Sequence, residues 1–99
     1  MHDLRCAPGQ VVVATLGRRG ALALHGDQLL RQAAFRVRTV DTVGAGDAFV
    51  AGFVAGRWWS AGVASALRLG CAAGALATTQ PGAQPALPTL AAVRALLEA

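Results

Sequence analysis

The spacing of apolar residues in this chain changes abruptly near its middle. Phe35, Val37 and Thr39 alternate with Arg36 and Arg38, the period of a strand; from Gly44 onward Ala48, Phe49, Gly52, Phe53 and Gly56 follow the three-to-four spacing of a helix. The junction is a run of small residues, Gly44-Ala45-Gly46, bracketed by Asp41 and Asp47. A strand feeding a helix through such a turn points to a mixed α/β architecture. Three small residues also let a ligand approach the backbone, and the first amides of a helix have no intrahelical partner. A place of this kind binds anions, phosphate above all.

Upstream, Gln10 to Leu16 (QVVVATL) is a β-branched run closed by Gly17, and Gly20 to His25 (GALALH) is a second short apolar run. Gly-Arg-Arg-Gly between them predicts a strand, a tight turn and a strand. Gln28 to Leu30 and Phe35 to Val40 are expected as two further short strands, with Asp27 in the turn before them. Phe49 and Phe53 are expected in the core, and Trp58 and Trp59 packed on the body at the end of the first helix. Ser60 is a suitable N-cap for a second helix running to about Thr78. Gln80 to Pro88 (QPGAQPALP) holds three prolines and a glycine, so a structured loop is expected there. Thr89 is then expected to cap a last helix, Leu90 to Glu98, with Leu90, Val93, Leu96 and Leu97 on one side.

Ninety-nine residues allow one compact unit, or a piece of one. With 55% hydrophobic and 14% charged residues, the chain must bury much of its surface, and part of that surface is expected to lie against something outside this segment. The net charge of +4 comes from scattered arginines with no lysine, and no basic run appears, so nucleic acid is not an expected partner. Cys6 and Cys71 are far apart and belong to no CxxC or Cys/His cluster, which favours free thiols in a reducing cytoplasm and speaks against zinc. Met1 to Gln10 contains no apolar stretch, so no signal peptide is expected. Gly52 and Gly56 form a GxxxG, yet only nine uncharged residues separate Asp47 from Arg57. A membrane span needs about 20, so these helices are expected to be buried in protein.

An acidic residue in the first helical turn has an ordinary explanation, favourable interaction with the helix dipole. The chemical alternative sets the Asp47 carboxylate beside a phosphate-binding nest, where it takes a proton while the nest holds a transferred group. Two other phosphate motifs are absent: a Walker A loop needs a lysine, and a dinucleotide fingerprint needs glycine where Phe49 stands.

The stretch DTVGAGDAFVAGF, Asp41 to Phe53, is similar to the DTxGAGDxFxxG signature of ribokinase-like (PfkB) carbohydrate kinases. VVVATLGRRGALAL, Val11 to Leu24, resembles that family's strand-turn-strand with its TLGxxG nucleotide loop, and GAQPALP, Gly82 to Pro88, resembles its GAQPSxP loop. The resemblance implies an α/β fold, with residues 1–99 forming the C-terminal, nucleotide-binding part of a three-layer α/β/α, Rossmann-like domain. It implies ATP-dependent phosphorylation of a sugar hydroxyl, of ribokinase or fructokinase type. Asp47 would be the catalytic base, and the amides of Gly44, Ala45, Gly46 and Asp47 an anion hole. Thr15, Gly17 and Gly20 would line the nucleotide site, with Cys71 near the adenine. ATP would come with Mg2+. K+ would be held by Asp41 and by carbonyls of Val43, Ala77, Gln80 and Gly82, although Ala86 replaces the serine of the family loop. The family's sugar-binding residues, lid and glycine motif precede this segment, so an N-terminal portion or a partner chain is expected to supply them. Complete members are often homodimers. The reading from another class is a non-catalytic nucleotide-binding or interaction fragment of a truncated kinase gene.

Overall fold

The β-branched run VVV opens the first strand, β1 (Val11–Thr15), which pairs antiparallel with β2 (Ala21–His25), and β2 pairs antiparallel with β3 (Gln28–Gln32). This computed structural model describes residues 10–60, 62–79 and 90–98. Register runs through Val13↔Ala23 and Ala23↔Leu30, so Val11, Val13, Ala21, Ala23 and Leu30 share one face. The first hairpin closes through a short 3-10 turn, Gly17–Arg19, in which the Leu16 N–H donates to the Gly20 carbonyl at 2.8 Å. Gly20 is irreplaceable here: its φ is +94°, and a Cβ would run into the Gln32 carbonyl oxygen of β3. The second hairpin turns on Gly26 and Asp27, as the sequence suggests.

Helices α1 (Ala45–Ser60), α2 (Val63–Ala77) and α3 (Leu90–Glu98) follow. α1 and α2 run antiparallel at very close range. A Cβ on Gly56 would stand 2.6 Å from the Ala66 Cα, and one on Gly74 would stand 3.2 Å from the Ala45 carbonyl oxygen. The GxxxG of α1 thus serves a helix pair inside the protein. α2 lies on β2 and β3, and Leu67 and Cys71 bury against Ala21, Ala23 and Phe49, with Phe53 half-buried beside them. Val93, Leu96 and Leu97 fasten α3 to Ala72, Ala73, Leu69 and Leu76. Arg68 ties the corner together, donating to the Leu97 carbonyl at 3.0 Å with its guanidinium over the Phe35 ring.

The expected α/β class holds: a meander is covered on one face by helices, two layers within the described residues. Three expectations do not. Phe35 to Val40 forms no strand and joins no ladder, since no described strand pairs with it; Phe35 packs on the core instead. Ser60 does not cap α2, because α1 continues through it; the cap is Gly62, extended at φ −88°, ψ 135° and without a side-chain hydrogen bond. Trp58 is 84% exposed, because α1 runs on past it and it falls on the same outward stripe as Val50 and Val54. The expected Gln80 to Pro88 loop and the Thr89 cap lie outside the described residues.

Candidate functional site

The turn into α1 is held from both sides. The Asp41 Oδ1 accepts the Val43 N–H at 2.9 Å, which folds the chain back before Gly44, at φ +86°. The Ala45 N–H donates to the Thr42 carbonyl at 3.2 Å and the Ala48 N–H to the Gly44 carbonyl at 3.0 Å. Of the four amides expected in an anion hole, that of Ala45 is therefore engaged within the turn. Those of Gly46 and Asp47 have no acceptor among the described residues. On the other side, the Val40 and Asp41 amides both donate to the Thr78 carbonyl, at 2.6 and 3.0 Å, and so dock the turn on the end of α2. The Thr78 and Thr79 hydroxyls cap α2 by donating to the Ala75 and Leu76 carbonyls. Asp41 thus stands at the end of α2, bonded to the residue that follows buried Ala77.

Beside this turn opens a cleft of about 940 Å³. Thr15, Gly17 and Gly20 line it from the first hairpin, Ala45 and Gly46 from the start of α1, and Cys71 from α2. Residues far apart in sequence and expected to serve one nucleotide therefore face one space. Gly74, having no side chain, leaves room there for α1 to begin. Burial pushes the Cys71 thiol above its ordinary pKa, so at neutral pH it is a neutral wall group. Asp47 is exposed in the first turn of α1, directly after Gly46, at the edge of the cleft and not in its lining. Asp41, Val43 and Gly44 also stand outside the lining; Gln80 and Gly82 lie outside the described residues, as does Cys6.

Sequence reading missed the charges of the cleft. Arg18 and Arg19 on the 3-10 turn and Arg36 on the segment after β3 line it together. No local pattern announced them: Arg38 shares the alternation with Arg36 and does not line the cleft, whereas Phe35 and Val37 do. Among the described residues no group of three or more His, Cys, Asp and Glu gathers to hold a metal, and no helix is long and apolar enough to cross a membrane.

A helix N-terminus and a glycine-bearing hairpin turn border one cleft of an α/β fold, and three arginines are in its lining. Residues 2–90 match the pfkB family of carbohydrate kinases, and the chain belongs to that family. It is 52% identical over 52 residues to fructoselysine 6-kinase of Escherichia coli (strain K12), an alignment covering 52% of this chain and 19% of that protein. The crystal structure of ribokinase from Thermotoga maritima superposes with a TM-score of 0.86 at 31% identity, over 91% of this chain and 30% of that one. A fructokinase double mutant from Vibrio cholerae O395, in its fructose-, ADP- and potassium-bound form, superposes with a TM-score of 0.80 at 40% identity, over 88% of this chain and 30% of that one. The chain spans about a fifth of the matched curated relative and about a third of the solved chains.

Proposed function

We propose that this chain is the nucleotide-binding, catalytic portion of a kinase that phosphorylates a sugar hydroxyl with ATP, of ribokinase or fructokinase type. The observation that carries the reading is the convergence of Thr15, Gly17, Gly20 and Cys71 with the start of α1 on one cleft. The purine and ribose would lie along the hairpin and Cys71, and the terminal phosphate at the Gly46 and Asp47 amides, where the helix dipole favours negative charge. The sugar oxygen bonds to the γ-phosphorus as the bond from that phosphorus to the β-bridging oxygen breaks. Asp47 takes the hydroxyl proton, and ADP leaves. Bound with the nucleotide, Mg2+ supplies charge neutralisation on the phosphates.

Asp41, Val43 and Ala77 suit a K+ site in chemistry, a carboxylate with backbone carbonyls, and the Asp41 amide is docked on Thr78, the residue after Ala77. There a cation would stiffen the turn that presents the anion-binding amides. The sugar would have to be held by polypeptide beyond this segment. The test is a chimera in which this chain replaces the matching segment of the Thermotoga maritima ribokinase. Ribose-dependent release of ADP is expected. A folded chimera that binds ATP without transferring phosphate to ribose would favour the non-catalytic reading.

A further inference from the structure

We infer that Arg36, with Arg18 and Arg19, reads the charge of the nucleotide's phosphate tail, so that the cleft distinguishes a triphosphate from a monophosphate. The inference rests on the nucleotide reading above and adds residues that the sequence signature does not contain. Arg18 and Arg19 sit on the 3-10 turn that closes the first hairpin; Arg36 sits on the segment leading into the Asp41 turn. All three are exposed and line the cleft that Gly46 also lines, and none makes an ion pair among the described residues. Three like charges facing one concave space repel one another, and the arrangement is relieved when a polyanion enters. Guanidinium is the group suited to it, as a planar fork that grips phosphate oxygens in pairs. Arg36 stands between Phe35, which packs on the core, and half-buried Val37, and all three line the cleft. Arg38 is two residues on, also exposed, and does not line the cleft.

The experiment is titration calorimetry of the 99-residue chain with ATP, AMP and inorganic tripolyphosphate, repeated on Arg36→Gln and Arg38→Gln, with circular dichroism to verify that each variant keeps its fold. Arg36→Gln is expected to weaken ATP and tripolyphosphate by about tenfold, the loss of one charge-assisted pair, and AMP by less than twofold. Arg38→Gln removes the same net charge and is expected to leave all three within twofold. Equal weakening by the two variants would reduce the effect to bulk charge and overturn the inference. So would an Arg36→Gln chain that binds tripolyphosphate as the parent does, or a parent that binds neither ATP nor tripolyphosphate. A parent that binds tripolyphosphate but not ATP would sink the nucleotide reading and the inference with it, whereas ATP binding that Arg36→Gln leaves unchanged would overturn the inference alone.

Discussion

Asp41 and Asp47 flank one turn yet face different tasks. The Asp41 carboxylate is turned inward to the Val43 amide, whereas Asp47 is exposed beside the cleft in the first turn of α1. Asp47 would interact favourably with the helix dipole in any case, by about 0.3–1 kcal/mol, so a small stability loss in Asp47→Asn says nothing about catalysis. Turnover separates the roles. In a protein that supplies the sugar site, Asp47→Asn is expected to lower kcat by on the order of 10²–10⁴ with nucleotide affinity nearly unchanged, as loss of a positioned base requires. Asp41→Asn is expected to weaken K+ activation and to regain activity at high K+. Steady-state rates across a K+ series check both, and near-full turnover by Asp47→Asn would return that residue to its electrostatic role in the helix.

The element that sets the site's geometry is the α1–α2 pair, because the start of α1 can face the hairpin only if the two helix axes are close. Gly56→Val should force Ala66 away and cost about 1–3 kcal/mol, while Ala51→Leu, on the exposed side of α1, should change stability by less than about 0.5 kcal/mol. Urea midpoints compare the two; equal effects would mean that close packing is not what holds α1. Most of these elements were legible in the sequence, since the hairpins and α3 obey simple periodicity and turn chemistry. Phe35 to Val40 misled because its alternation is that of a strand while nothing described lies alongside to pair with it. Ser60 misled because it is a good cap residue by type, whereas the apolar helix before it runs on to that position. The Asp41 to Asp47 turn was legible because its whole signal is local. The cluster of Arg18, Arg19 and Arg36 was not, because only the folding of the hairpins brings those charges to one wall.

At the scale of the molecule, the radius of gyration is 13.4 Å, close to the ~13 Å of a compact 100-residue domain, even though solved relatives are about three times longer. That compactness is bought with uncovered surface on two sides. Val12 and Leu29 lie on the sheet face opposite the helices, 50% and 57% exposed, and Val50, Val54 and Trp58 make a stripe along the outside of α1, 58%, 58% and 84% exposed. Asp47 lies on the same outward side of α1 as that stripe, so whatever covers Val50 and Val54 would also bring its groups towards the proposed base. The isolated chain is accordingly expected to show no sugar kinase activity, since nothing in it is proposed to hold a hydroxyl in line with the phosphate. It is also expected to self-associate through the exposed apolar faces. Sedimentation velocity across a concentration series should show a rising average mass, and a variant carrying Val50→Glu and Val54→Glu should reduce it. Charges at those two exposed positions should disturb the fold little, which circular dichroism can verify. A parent chain that stays monomeric throughout and melts in one cooperative transition would mean that these faces tolerate water, and that the segment is a self-sufficient unit.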